Sequence, residues 1–330
     1  MRITVLSGGV GGARFTRGLL AHLRTRLPDG VGGTTAQVTV VANTGDDLWL
    51  HGVRVCPDLD TLMYTLGGAV HEGQGWGRAA ESSRTAVDLR AYDVGGDWFT
   101  LGDLDLATHL ARTQLLREGR TLSQVTEHLC RRWRPGARLL PMSDQEVETH
   151  AVIEGDDGAE HLLHFEEWWV RRRAALPARG FVQVGLERAR AAPGVEAALL
   201  EADVVVLPPS NPVVSVGTIL AIPGVRAALV ATRAPVVGIS PIVGGAPVRG
   251  MADQCLRAIG VETTAAAVAR HYGRRALGGV LDAWLVDSVD SGAATDLAAD
   301  GWLVGVAPTL MTDAGAAARI AAAALALVDR

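Results

Sequence analysis

The chain has 330 residues, a formal net charge of −5 at pH 7, and 31 basic residues that are all arginine. Without lysine it cannot form the Schiff base of pyridoxal-phosphate enzymes or class I aldolases, and it cannot supply the lysine of an ordinary P-loop. The charge balance gives no nucleic-acid signal, and the longest apolar stretches are too short for a membrane span. The three cysteines form no CxxC motif, and the chain opens as a strand rather than a signal peptide. We therefore expect a cytoplasmic protein that binds neither nucleic acid nor membrane.

The first forty residues predict a βαβ unit. Residues 3–6 and 38–42 are short apolar strands, and apolar residues recur at helical spacing between Phe15 and Leu27. Such a unit is typical of a parallel sheet with helices on both faces. We therefore predict an α/β fold of the Rossmann-like, doubly wound type, with a mostly parallel sheet.

The middle of the chain reads as mainly helical over residues 57–145. Helices are predicted at Pro57–Leu66, Asp103–Arg117 and 121–132, the last with Thr121 or Ser123 as its cap. Strands are predicted between 137 and 185, and strand–helix alternation returns from residue 193. We predict a nucleotide-binding core formed by 1–56 and 146–330, with a helical insertion over 57–145.

A glycine-rich turn follows the first strand and precedes the first helix. Glycines there let backbone amides approach an anion at a helix N-terminus, so we predict phosphate binding by Gly8, Gly9, Gly11 and Gly12. A plain tight turn and a dinucleotide site remain open. The dinucleotide fingerprint is broken, because its third glycine position is occupied by Arg14.

Aspartates are concentrated between residues 46 and 105. Most have ordinary roles in turns and caps, and Asp88, Asp93 and Asp97 are expected in solvated loops. Asn43, Asp46 and Asp47 differ, because they stand at the carboxyl end of a predicted parallel strand, where ligands of such sheets bind. We predict that Asn43 binds the nucleotide and that at least one of Asp46, Asp47 and Asp60 holds Mg²⁺, with Asp46 and Asp60 as the first candidates. All three are candidate catalytic residues. For Asp60, helix capping remains the alternative.

Two later loops lie at the ends of further predicted strands. Ser210, Asn211 and Ser215 follow the strand 204–207, and Gly244 and Gly245 follow the strand 236–239. Their convergence on one sheet edge predicts further nucleotide or phosphate contacts. The alternative for Ser215 is capping of a helix that runs through Leu220.

Six segments together resemble one family along essentially the whole chain. They are 43–49 (NTGDDLW), 56–61 (CPDLDT), 101–109 (LGDLDLATH), 140–144 (LPMSD), 209–212 (PSNP) and 240–244 (SPIVG). The sequence resembles the CofD/FbiA family of 2-phospho-L-lactate or phosphoenolpyruvate transferases of coenzyme F(420) biosynthesis. Segments 10–15 (VGGARF) and 63–68 (MYTLGG) are most similar to its actinobacterial members.

The resemblance implies a magnesium-assisted transfer. The donor is a guanosine diphosphate ester of enolpyruvate or lactate, and the acceptor is Fo, a deazaflavin with a ribityl chain. The terminal hydroxyl of Fo attacks the distal phosphate, GMP leaves, and dehydro-F(420)-0 or F(420)-0 forms. Fo contacts are implied at Asp60 and Thr100, a position where some members carry lysine, and are extended here to Asp103 and His109. The family also implies a homodimer.

The sequence is also compatible with two other functions. A family of the same fold contains regulators that bind nucleotide sugars without catalysis, and they resemble the glycine turn and parts of the later loops. An NAD-dependent dehydrogenase is the other rival. For His109, a structural role on an apolar helix also remains open.

Overall fold

The structure, a computed structural model, describes residues 1–94 and 98–329; Asp97, expected in a solvated loop, lies outside them. The strands are β1 (Arg2–Ser7), β2 (Gln37–Ala42), β3 (Leu48–Leu50), β4 (Val53–Val55), β5 (Arg138–Pro141), β6 (Glu148–Glu154), β7 (Glu160–His164), β8 (Ala178–Val184), β9 (Val204–Leu207), β10 (Val236–Ile239), β11 (Ile242–Val243), β12 (Ala246–Pro247), β13 (Ala283–Val286) and β14 (Leu303–Val306). The helices are α1 (Val10–Arg26), α2 (Pro57–Leu66), α3 (Arg84–Ala91), α4 (Asp103–Arg117), α5 (Leu122–Trp133), α6 (Val195–Leu200), α7 (Val216–Ala221), α8 (Val225–Ala231), α9 (Ala252–Ala258), α10 (Ala265–Tyr272), α11 (Ser291–Ala299) and α12 (Ala314–Ala326).

Seven strands form a parallel sheet in the order β14-β13-β10-β9-β1-β2-β5. From β1 the chain first adds β2 and β5 on one side, and it then adds β9, β10, β13 and β14 on the other side of β1. This reversal of strand order confirms the doubly wound, Rossmann-like prediction. In such sheets the ligand crevice opens at the carboxyl ends of the two strands where the order reverses, here β1 and β9.

Alternating residues of the buried strands pack into two hydrophobic cores, one on each face of the main sheet. In β1, Ile3 and Val5 pack with α1, α2 and α12 on one face of the sheet. Leu6 packs on the other face, in the core that holds α6, α7, α8, α10 and α11. A strand covered on both faces reads as a continuous apolar run, which is why the short strands were visible in the sequence.

The predicted insertion over residues 57–145 is mainly helical, but it includes one core strand. Residues 138–141 form β5, which pairs in parallel with β2 and closes one edge of the main sheet. The predicted boundary at residue 145 therefore falls after a core element, and the helical insertion ends before β5. Helix α3 was not predicted. Thr121 caps α5 through a capping box with Gln124.

Two small antiparallel units flank the sheet. Strands β7, β6 and β8 form a three-stranded sheet. Phe181 of β8 packs there with Phe165 and Trp168 of the segment that follows β7. This sheet contacts the turn after β2, because the Thr149 amide donates to the Gly45 carbonyl at 2.6 Å. The hairpin of β3 and β4 packs against Leu101. Among residues 1–94 and 98–329, no helix combines the length and apolarity needed to span a bilayer.

Close packing of α1 against α12 depends on Gly18. A Cβ at this position would overlap the backbone of Ala317, which cannot rotate away. We therefore expect Gly18→Ala to lower the free energy of unfolding by about 1–3 kcal/mol, measured by urea denaturation. The matched control is Gly292→Ala in α11, where a Cβ meets open space and should be neutral or stabilise by about 0.5–1 kcal/mol. Equal effects of the two substitutions would contradict the packing argument.

Candidate active site

The glycine turn that follows β1 is in direct contact with the loop that follows β9. The Gly8 amide donates to Ser210 Oγ at 3.1 Å, and a Cβ on Gly8 would lie 2.5 Å from Ser215 Oγ. Helix α1 begins at Val10, so Gly11 and Gly12 lie in its first turn rather than in a loop. A Cβ on Gly11 would strike the Pro209 carbonyl oxygen. The glycines therefore allow two loops to form one surface at the α1 N-terminus, and phosphate binding there stays a prediction.

The polar side chains of the loop after β9 have different environments. Ser210 and Ser215 both approach Gly8, so two hydroxyls face the turn. Ser215 precedes α7, but its side chain does not cap that helix, so the capping alternative is wrong. Asn211 is used locally: its Oδ1 accepts from the Val213 amide at 2.9 Å. The two serine hydroxyls therefore lie at the turn, whereas Asn211 shapes the loop, and ligand binding by all three stays a prediction.

Asn43 joins the buried carboxylate of Asp46 to the partly buried carboxylate of Asp58 at the carboxyl end of β2. Its amide nitrogen donates to Asp46 Oδ2 at 3.0 Å and to Asp58 Oδ2 at 2.9 Å. Asn43 therefore orders the acidic cluster, and its predicted phosphate contact would have to compete with these bonds.

Glu166 completes this group of carboxylates from the end of β7. Burial and the nearby carboxylates of Asp58 and Glu166 raise the pKa of Asp46 well above its usual range. Burial raises the pKa of Asp58 to about 6. Burial, and after it the charge of Asp58, raises the pKa of Glu166 to about 8. Like charges held together away from water in this way favour either protons or a bound cation.

Asp47 lies beside a buried arginine. Its Oδ2 is 3.9 Å from Arg54 Nη2, and both side chains are almost fully buried. Burial nevertheless raises the pKa of Asp47 to about 7 against the lowering effect of Arg54. Arg54 also faces Glu146 and Glu148 at 3.5 and 3.6 Å, so its charge is shared.

The carboxylate of Asp60 is contacted by two side chains of helix α4, Arg112 and His109. Arg112 donates to Asp60 Oδ1, and His109 Nδ1 lies 3.6 Å from Oδ2. Burial raises the pKa of Asp60, while Arg112 and His109 oppose the rise. On the far side, His109 Nε2 is 3.4 Å from Asp105, which also accepts a 2.6 Å hydrogen bond from Tyr64. His109 is 1% exposed, which favours a role in orienting Asp60 over direct contact with a substrate.

Three of the predicted carboxylates have unused oxygens. Asp46 Oδ1, both oxygens of Asp47 and Asp60 Oδ2 are buried without a hydrogen-bond partner. Orphaned carboxylate oxygens in a buried cluster fit a hard divalent cation such as Mg²⁺, which takes oxygen ligands. Among the described residues, the group whose ligand atoms have metal-site spacing is Asp60, Asp105 and His109; it includes Asp60 but neither Asp46 nor Asp47. There Arg112 already compensates Asp60, so a cation fits better on the Asp46 side.

Three residues that were predicted to contact a substrate make other contacts in the structure: Asp103, Gly244 and Gly245. Asp103 accepts from Ser82 Oγ and from the amides of Arg84 and Thr85, which lowers its pKa to about 2. It therefore anchors the start of α3, a structural role that its sequence motif did not indicate. Gly244 and Gly245 form the turn of the β11–β12 hairpin, and the Gly244 amide donates to Asp290. This pair thus makes a hairpin turn, and its nucleotide contact stays a prediction.

Thr100 lines a shallow cleft of about 30 Å³ on the helical insertion. Its neighbours there are mainly apolar and include Leu89, Phe99 and Leu106. Leu106 lies on α4, the helix whose buried face holds Asp60. The cleft and the carboxylate are thus connected through one rigid element.

Four contributors to the site were missed by sequence reasoning. Asp58 was read only as a charge at a helix start, although its spacing from Asp60 was visible. Glu166, Arg54 and Arg112 are each isolated in the sequence from the residues they meet. They had no local signal, because only the fold brings them to the carboxyl ends of β1 and β2.

The family profile described as 2-phospho-L-lactate transferase CofD matches residues 3–301. This chain belongs to that family. It is 56% identical to a phosphoenolpyruvate transferase of Streptomyces coelicolor, with 100% of this chain and 98% of that protein covered. It is 54% identical to one of Mycobacterium marinum, covering 99% and 98%. A solved UPF0052 family protein of Bacillus halodurans has the same fold, with a TM-score of 0.62 at 17% identity over 98% and 99% of the two chains. The regulator and dehydrogenase alternatives receive no support from these similarities, and the chain is a transferase.

The pairing of Arg112 with Asp60 gives a stability prediction. Arg112→Met leaves the Asp60 carboxylate buried without its cation, so we expect a loss of about 3–5 kcal/mol in unfolding free energy at pH 7. The loss should shrink as the pH falls, because protonation removes the uncompensated charge. Urea denaturation across pH measures both.

A matched control and a double variant sharpen this prediction. Arg117→Met, on the exposed side of the same helix, should change stability by less than about 0.5 kcal/mol. The double variant Asp60→Asn with Arg112→Met should be less destabilised than the two single effects added together. Simple additivity would show that the two side chains do not depend on each other.

Proposed function

We propose that this transferase moves the phosphoenolpyruvyl group from a guanosine diphosphate ester to the ribityl hydroxyl of Fo. The products are dehydro-F(420)-0 and GMP. The names of the relatives, all phosphoenolpyruvate transferases, favour the enolpyruvyl donor over the lactyl donor. The supporting structural feature is the acidic cluster beside the glycine turn, at the sheet edge where doubly wound folds bind ligands.

The donor diphosphate is proposed to lie against the α1 N-terminus. The amides of the first turn and the hydroxyls of Ser210 and Ser215 supply hydrogen-bond donors there, and the helix dipole favours an anion. Since the chain has no lysine, these groups, arginine and a cation must together neutralise the phosphates. Phosphoryl transfer depends mainly on such positioning and charge neutralisation.

Mg²⁺ is proposed to bind at Asp46, at Asp60 or at both, because each carboxylate has one buried oxygen without a hydrogen-bond partner. When bound, it supplies charge neutralisation at the diphosphate. Asp60 also orients the acceptor hydroxyl, and Arg112 fixes the carboxylate in place for that role. As the hydroxyl oxygen bonds to the distal phosphorus, its proton passes to a carboxylate of the cluster and the bond to GMP breaks. Asp47 stays a candidate for accepting that proton.

Fo is proposed to place its deazaflavin ring in the cleft lined by Thr100 and Phe99. An apolar cleft with an aromatic wall suits a flat heteroaromatic ring. Because Thr100 is uncharged, the ring is held there without the ammonium that some family members provide. We further propose that the protein works as a cytoplasmic homodimer.

The reaction itself is the direct test. Purified protein is incubated with Fo, the enolpyruvyl or the lactyl donor, and Mg²⁺, and products are identified by mass. We expect the phosphodiester product and GMP in equal amounts, with the enolpyruvyl donor preferred and EDTA stopping the reaction. Failure to form a phosphodiester from either donor would overturn the proposed function, and a lactyl preference would overturn the choice of donor.

Variants of the acidic cluster test the assigned residues. Asp46→Asn and Asp60→Asn should each lower kcat by about 10²–10³-fold, as is typical when one preorganised electrostatic group is lost. Asp88→Asn, an exposed aspartate on α3, is the matched control and should retain the full rate. Steady-state rates of Fo consumption measure this. A wild-type rate for Asp60→Asn would remove Asp60 from the chemistry.

A further inference from the structure

A pair of arginines without carboxylate partners lies beside the N-terminus of α1. Arg14 is in the second turn of that helix, and Arg249 follows the β11–β12 hairpin. In the described parts of the chain, neither guanidinium pairs with a carboxylate. Both instead donate to backbone carbonyls: Arg14 to Glu72 at 3.2 Å, and Arg249 to Gln74 at 2.6 Å and Gly73 at 3.1 Å.

The two guanidinium groups are held close together around Gly75. A Cβ on Gly75 would lie 2.8 Å from Arg249 Nη1 and 3.5 Å from Arg14 Nη2. The same Cβ would lie 2.8 Å from Val10, the first residue of α1. Gly75 also has a φ of +81°, which favours glycine. The loop 72–75 thus brings two cations to the helix end that bears the glycine turn.

The local charge is strongly unbalanced. Glu72 is the acidic residue of the loop 72–75. Its carboxylate accepts two hydrogen bonds from the Arg17 guanidinium, at 2.5 and 3.3 Å. Burial and the charges of Arg249 and Arg17 lower the pKa of Arg14. Three cations therefore share one anion, in a protein whose formal net charge is −5. Each guanidinium has five N–H donors, of which the backbone contacts use one or two.

We propose that Arg14 and Arg249 form an anion-binding subsite that holds an oxyanion group of the donor substrate. A pair of planar guanidinium groups matches the oxygens of phosphate or carboxylate. The position beside Val10 makes the subsite continuous with the surface formed by Gly8, Ser210 and Ser215. The identity of the donor rests on the proposed function, whereas the binding of an oxyanion does not.

Binding measurements test the subsite without turnover. Pyrophosphate and GDP are titrated calorimetrically into the full chain and into Arg14→Gln and Arg249→Gln. Loss of one charge-assisted contact should raise Kd by about 10- to 100-fold. Arg24→Gln is the matched control, since Arg24 is exposed near the other end of the same helix and carries the same charge. Arg14→Lys should recover part of the binding.

Steady-state kinetics identify which oxyanion is held. A weaker GDP affinity assigns the pair to a phosphate, whereas unchanged GDP affinity with a raised KM for the complete donor assigns it to the carboxylate of the three-carbon group. In both cases the KM for Fo and the unfolding transition should stay near wild type. Equal changes in both KM values with a lowered Tm would mean that the arginines merely clamp the loop 72–75, and would overturn the subsite.

The controls also separate this proposal from the proposed function. If the wild-type protein binds pyrophosphate but transfers no group, and both glutamine variants bind pyrophosphate more weakly, the proposed function fails and the subsite stands. If transfer proceeds while Kd and donor KM in both variants stay within about twofold of wild type, the subsite fails and the function stands. A wild-type protein that binds neither pyrophosphate nor GDP overturns the subsite.

Discussion

The site depends on one constraint: four buried carboxylates and the partly buried Asp58 lie at the carboxyl edge of the sheet with too few cations to balance them. They are Asp46, Asp47, Asp58, Asp60 and Glu166, and the buried arginines beside them are Arg54 and Arg112. Each buried ion loses several kcal/mol of hydration, which only a partner of opposite charge recovers. An excess of buried negative charge is therefore stable only with protons or with a bound cation. This is the electrostatic reason for proposing a divalent ion at the cluster.

The fold separates negative from positive charge around one helix end. The glycine turn contacts Asp58 on one side and the loop that carries Ser210 on the other, while Val10 borders the arginine-rich loop 72–75. A diphosphate ester placed across this helix end would meet backbone amides, a cation site and guanidinium groups together. The lack of lysine makes this division necessary, because arginine is the only permanently charged basic side chain in the sequence. A compact ammonium has to be replaced by groups contributed from several segments.

Sequence patterns predicted elements well where the signal is local. Helix α2 begins at Pro57 and α4 begins at Asp103 as expected, because proline and acidic residues mark helix starts and apolar residues continue each pattern. Helix α3 was missed because none of its residues is buried, so it has no apolar stripe. Asp103 was added to the Fo contacts from its place in the segment 101–109, and without α3 in view its contact with the start of that helix could not be foreseen. Strand β5 was placed in the insertion because four residues carry too little periodicity to show which sheet they join.

The candidate site was predicted only as far as its residues follow strand ends. Asp46 and Asp47 were found because a parallel strand brings its carboxyl end to a shared edge, and this rule needs no tertiary information. Arg112 and Glu166 could not be found in this way, since each reaches the cluster from an element whose position depends on long-range packing. Their effect is nevertheless decisive: Arg112 stabilises the charge of Asp60, whereas Glu166 adds to the charge that Asp46 must share. The two metal candidates named from sequence are therefore not equivalent, and Asp46 has the greater need of a cation.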